Sequence, residues 1–222
     1  MENKRLLWRS FCYEHQVFER SVPLFQTSFS NNVDVFPYGA SRRLMLKRSD
    51  EMESLVRKQS RIVIDDYHSG THQYDGLIYM MLWKLDGEII PLYIGKAEKY
   101  GKKGGNLSEN IKGDSGKFCR WGYNYAYHIG DLSAVVCPDH LAEKRTRKYE
   151  KWADKLFETV QTDKPVLRQE VYFWISPWSK NWTGVWKDFG QTSLTFLEYL
   201  LIGLASEVFP ETLLNDEGVN RK

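Results

Sequence analysis

The sequence predicts a mixed fold of the α+β type, and three features carry that prediction. An apolar run at 77–83 and a second at 89–94 flank Asp86-Gly87, a favourable hairpin dipeptide; residues 171–175 form an isolated β-rich run; and an apolar helix is expected at 194–208. With 222 residues, 42% hydrophobic and 14% aromatic, the chain has enough apolar surface for one sizeable core, or one domain with an extension. The 31 basic residues are nearly matched by 29 acidic ones, so net charge points to no polyanionic partner and only local patches can. Cys12, Cys119 and Cys137 lie far apart with no CxxC pair, which argues against a disulfide framework or zinc cluster and fits a reducing, cytoplasmic setting. The first residues lack the apolar centre of a signal peptide, because Arg9 interrupts them, and no stretch approaches the roughly 18 apolar residues of a membrane span.

Upstream of residue 75, Asp50 with Glu53 resembles a capping arrangement, followed by Met52, Leu55 and Val56 at helical spacing, so a helix is expected near 50–60. Arg61-Ile62-Val63-Ile64 is short and β-branched and reads as a strand, with a loop over 67–71 around Gly70. From Gly76 the pattern sharpens. Leu77 to Trp83 is apolar at every position, so this strand belongs inside a sheet rather than at a solvated edge. Residues 97–119 carry five glycines and read as a long inserted loop; 139–160 look helical; 171–175 form a third strand bounded by Pro177. Thr192 or Ser193 can cap the last helix, which stops before Pro210. The composition divides the chain softly into a mixed extension, 1–75, and a sharper region, 76–222.

Chemistry-bearing residues concentrate in that second region. Tyr79 in Gly76-Leu77-Ile78-Tyr79 and Tyr93 in Tyr93-Ile94-Gly95-Lys96 lie on the two hairpin strands, Arg120 follows the loop, Glu198 sits in the apolar stretch Phe196 to Leu201, and Asn215 comes after that helix. A carboxylate in so apolar a stretch must be partnered, because an isolated buried charge is costly; it either makes a structural ion pair or binds a cation. Two look-alike motifs are declined. Gly95 to Lys103 has the wrong glycine spacing, and lacks the Ser or Thr, for a phosphate-cradling P-loop. His68 and His72 enclose no glutamate of a metalloprotease.

Taken in order, these pieces resemble the GIY-YIG nuclease family over about residues 76–215, with one extra apolar residue in the first motif and the second matched without change. The resemblance implies a small, mainly antiparallel sheet flanked by helices and metal-dependent hydrolysis of DNA phosphodiesters. In that scheme Tyr79 is the general base towards the attacking water, its acidity tuned by Lys96 or a metal-bound water, since a free phenol titrates near 10. Tyr93 orients the water or binds phosphate, Arg120 clamps the scissile phosphate, Glu198 binds Mg²⁺ or Mn²⁺, and Asn215 completes the set. Many members carry a His or Tyr four residues after the arginine; here that position is Asn124. Tyr123, Tyr127 and His128 are the substitutes, and His128 is favoured because a helix would place it on one face with Arg120 and Asn124.

Basic residues outnumber acidic ones twice. Lys96, Lys99, Lys102, Lys103, Lys112, Lys117 and Arg120 lie in and around the loop, and Arg42, Arg43, Lys47, Arg48, Arg57, Lys58 and Arg61 in the 42–61 stretch. Lys99, Lys102, Lys103, Lys112 and Lys117 are the expected grip on double-stranded DNA. The sequence-level expectation is therefore a cytoplasmic endodeoxyribonuclease, with a restriction endonuclease as the preferred subclass and homodimerisation or transient pairing needed to cut both strands. The alternatives are a repair or mobile-element nuclease, or a non-catalytic DNA-binding or interaction protein on the same fold.

Overall fold

The structure, a computed structural model, describes residues 2–101, 104–112 and 128–219. Among them the order of elements is α1 (Glu2–Glu14), α2 (Val17–Arg20), β1 (Val22–Pro23), β2 (Val35–Tyr38), β3 (Arg43–Leu46), α3 (Asp50–Ser69), β4 (Gly76–Leu85), β5 (Glu88–Glu98), α4 (Ile129–Val136), α5 (Arg147–Leu156), β6 (Tyr172–Trp178) and α6 (Leu194–Val208). Four strands form one antiparallel sheet in the order β1-β6-β4-β5, and β2 and β3 form a separate hairpin. The fold class expected from sequence is the one observed.

Strand β4 is central because both of its faces are apolar. Leu77, Tyr79, Met81 and Trp83 face a core completed by α3, α4 and α5, through Val56, Leu132 and Trp152 among others. Ile78, Met80 and Leu82 face a second core built with α1 and α6, through Trp8, Leu197 and Leu201. Burying such a side chain contributes about 1.5–3 kcal/mol, so a strand apolar on both faces is stable only with helices on both sides. At the hairpin tip Asp86 and Gly87 both have positive φ (49° and 76°), as the type I′ turn requires.

Residues 1–75 are built into this architecture. β1 pairs with β6, α3 packs on β6, β1 and β4, and α1 packs on α6, so residue 75 marks no break in packing. Arg61 to Ile64 is helical, correcting the strand expectation. α3 runs on to Ser69, and its buried Met52, Val56, Gln59, Ser60, Val63 and Ile64 recur at helical spacing against the sheet, which outweighs β-branched propensity. Its N-cap is Ser49, whose hydroxyl accepts from the Met52 amide at 2.9 Å. Pro177 lies within β6 rather than bounding it. β1 covers β6 only at Tyr172 and Phe173, so the other side of β6 is uncovered at Pro177. The expected helix at 139–160 is reduced to α5, and α4 precedes it as a further helix.

The described part of the 97–119 loop is packed. β5 continues to Glu98, Gly101 donates to the Asn106 carbonyl at 3.0 Å, and Ile111 is fully buried. Lys99 is 0% exposed and its ammonium donates to Asp66 at 2.5 Å, which removes it from the expected DNA grip. Asp66 also accepts from the Thr71 hydroxyl at 2.6 Å and from the amides of Gln73 and Tyr74 at 2.7 and 3.1 Å. Burial alone would raise its carboxyl, but these bonds overcome it and hold Asp66 well below the usual carboxylate range. The pair thus pins the end of α3 to the end of β5.

Asp66→Ala leaves the Lys99 ammonium buried and unpaired, and is expected to lower stability by about 3–5 kcal/mol in urea unfolding. In the wild type the Asp66 contribution is complete above about pH 4 and declines as acid protonates the carboxylate.

Candidate active site

The site forms at the outer edge of β5, and Gly95 makes it. Tyr79 stands directly opposite Gly95 in the register. A Cβ at Gly95 would lie 2.4 Å from the Tyr79 hydroxyl oxygen and 2.5 Å from Cζ, so the Tyr79 ring occupies the space that any other residue would fill. The ring stacks on Phe173 (centroids 5.7 Å apart) and reaches across the edge strand to Tyr93 (6.1 Å). The two expected tyrosines are thus brought together. Burial, and after it the charge of Glu198, push the Tyr93 phenol up to about 12 against a hydrogen bond from Tyr79 that favours the anion. Tyr93 is therefore a neutral hydrogen-bond donor at neutral pH, not a base.

The chain after α6 returns along the free side of β5. The Leu214 amide donates to the Leu92 carbonyl at 2.7 Å. Asn215 accepts from the Ile94 amide at 3.0 Å and donates to the Ile94 carbonyl at 2.8 Å. Its amide mimics a paired strand at an otherwise open edge. Both polar ends of the Asn215 side chain are thus engaged by Ile94, the residue between Tyr93 and Gly95.

From the opposite face of the sheet α6 supplies Glu198. Ser193 caps this helix, accepting from the Phe196 amide, and Leu194, Leu197 and Leu201 bury its inner side. Glu198 retains 17% side-chain exposure and lies 3.9 Å from the Lys96 ammonium. Lys96 binds more closely to Glu98, which also accepts from Thr195 at 3.1 Å and is held below the usual carboxylate range by Lys96. Lys96 therefore neutralises carboxylates on the α6 side of β5, and the expected role of tuning Tyr79 does not follow from its placement. Burial raises Glu198 to about 7; the Lys96 charge opposes this, while Glu98 and Glu217 add to it. Glu198 is only partly neutralised by Lys96 of β5, and its charge adds to the burial that opposes ionisation of Tyr93.

Beside Tyr93 stands a group that sequence reasoning found only in part. His128 has φ 65° and precedes α4, so it lies outside that helix. Its Nδ1 bonds the Tyr149 hydroxyl at 2.5 Å and its ring packs 4.9 Å from Tyr93 and 5.2 Å from Trp152. Burial and the Lys148 charge push His128 down to about 3, so it is a neutral imidazole at pH 7. Tyr149 and Trp152 lie three residues apart on α5, with Lys148 beside them. Nothing in their spacing marked them.

No family model, curated protein or solved structure matches this chain. Arg120, Lys102, Lys103 and Lys117, with Tyr123, Asn124 and Tyr127, lie outside the described residues. Lys112 is exposed, 3.4 Å from Glu109. Among the described residues no three His, Cys, Asp or Glu side chains converge as a metal cage, and no helix is long and apolar enough to cross a membrane. Glu198, with Glu217 acting on it electrostatically, offers only hard oxygen donors, which suit Mg²⁺ or Mn²⁺ completed by water and substrate oxygens rather than zinc.

Gly95→Ala is expected to displace the Tyr79 ring and reduce any activity of the site at least tenfold while the protein stays folded, as measured by activity beside circular dichroism. Asn215→Ala should cost about 2 kcal/mol or more in chemical denaturation, because it strands the amide and carbonyl of Ile94.

Proposed function

We propose that the chain is a metal-dependent endonuclease of the GIY-YIG type acting on DNA phosphodiesters. The observation that carries this reading is the approach of Tyr79 to Tyr93 over the side-chain-free Gly95, with the half-buried Glu198 reaching the same edge from the other face. Phosphodiester hydrolysis needs an oriented water, donors and positive charge on the phosphoryl oxygens, and help for the leaving oxygen. In this reading Tyr79 orients and deprotonates the water, as the family resemblance implies. Tyr93, protonated at neutral pH, donates to the phosphate or the water, and neutral His128 supports the Tyr93 ring. Glu198 would hold Mg²⁺ or Mn²⁺, which supplies neutralisation of charge developing on the phosphoryl oxygens. Arg120 keeps its role as phosphate clamp on the resemblance alone. Restriction is the preferred subclass, with two copies pairing to cut both strands and with repair or mobile-element cleavage as neighbouring readings.

Purified protein incubated with supercoiled and linear duplex should cut in Mg²⁺, stop in EDTA, and lose activity in Glu198→Ala and Arg120→Ala. Retention of duplex without cleavage, unaffected by either substitution, would instead identify a non-catalytic binding protein. The protonation of Glu198 adds a sharper expectation. A cation binds the carboxylate and not the acid, so the Mg²⁺ concentration for half-maximal cleavage should rise about tenfold per pH unit below about 7 and level off above it. A requirement unchanged between pH 5.5 and 8 would contradict Glu198 as the ligand.

A further inference from the structure

Lys148, in the first turn of α5, stands over the aromatic floor of this site. Its ammonium lies 5.2 Å from the ring centre of Tyr93, 5.5 Å from that of Tyr149 and 5.5 Å from that of Trp152. Aromatic faces hold a cation but accept no strong hydrogen bond from it. Among the described residues Lys148 makes no hydrogen bond and no ion pair, although Asp131, Asp216 and Glu217 act on it at longer range. Asp216 is paired elsewhere, with Lys151 at 3.4 Å. Burial pushes the Lys148 amine down, and those three carboxylates oppose that loss of charge. The result is an amine held against the Tyr93, Tyr149 and Trp152 rings, with no hydrogen-bond acceptor on it among the described residues.

We propose that Lys148 binds the substrate, its ammonium gripping a non-bridging phosphate oxygen of the nucleic-acid backbone. The assignment rests on the nuclease reading of the same site and extends it to a residue that the family motifs do not include. Lys148 replaces nothing in the motif set. Lys96 is already engaged by Glu98 and Glu198, so among the described residues Lys148 on α5 is the ammonium beside Tyr93 left to meet a phosphate, in addition to the Arg120 clamp. A lysine suits a point contact to one oxygen, whereas a planar bidentate grip belongs to arginine.

The test is the salt dependence of duplex binding, measured by fluorescence anisotropy on a labelled duplex in EDTA, beside steady-state cleavage in Mg²⁺. Lys148→Met keeps the aliphatic packing over the rings and removes the charge; Lys148→Gln is a second neutral variant, and Lys148→Arg restores the charge. The neutral variants should make the slope of log K against log salt shallower by about 0.9, the value for one lost phosphate contact, and raise KM about tenfold with kcat less affected. Arginine should recover most of both. A purely structural lysine would change the melting temperature and leave the salt slope alone. A wild-type protein that cuts DNA, with neutral variants matching its slope and KM, overturns this role while keeping the nuclease reading. A wild-type protein that binds no duplex at low salt overturns both.

Discussion

The absence of a side chain at Gly95 is the constraint on which the site depends. β5 is the edge strand of the sheet, and at Gly95 it is thin enough for the Tyr79 ring of the neighbouring central strand to lie across it. Groups on the two faces of a sheet are normally kept apart by the strands between them. Here the Tyr79 and Tyr93 phenols on one face and Glu198 on the other share one edge, because the strand separating them is the last one and carries nothing at that position. The rest of the fold serves that arrangement. Asn215 closes the open side of Ile94, Phe173 backs the Tyr79 ring, and α6 is held by its apolar side so that Glu198 emerges at the rim.

Electrostatically the edge of β5 gathers groups whose charged forms are opposed by burial. Burial works against ionisation at Tyr93, Glu198 and His128, the first two held protonated well above their ordinary range and the third held neutral. Structural ion pairs in the same molecule behave oppositely: Asp66 and Glu98 are driven towards the charged form by the lysines they meet. A carboxylate raised to about 7 despite the Lys96 charge 3.9 Å away and a hydrogen bond from the Lys96 backbone is only partly compensated in the folded state, an arrangement that detracts from stability. A divalent cation and a phosphate would together balance Glu198 and Lys148.

Much of this was legible in the sequence because local rules and tertiary packing agreed. Asp86-Gly87 demanded a hairpin and formed one, the unbroken apolar run from Leu77 to Trp83 demanded cover on both faces, and Ser193 opened the last helix. Reading failed where long-range packing overruled local preference. Ile62, Val63 and Ile64 favour a strand by propensity, yet their helix buries Val56, Ser60 and Val63 against the sheet, a contact no local window contains. Lys99 looked like one more loop lysine until Asp66, far back in the chain, buried it. Tyr149, Trp152 and Lys148 gave no signal because a helix that packs aromatics on a core has the same spacing as one that lines a site.

The most direct measurement is the titration of the Glu198 side-chain carboxyl by carbon NMR in metal-free protein. The account predicts a midpoint near 7, set by burial at the shared edge. A midpoint in the ordinary range for a solvated glutamate, about 4.3, would place that carboxylate in water, away from the phenols, and would contradict the convergence on which the reading is built.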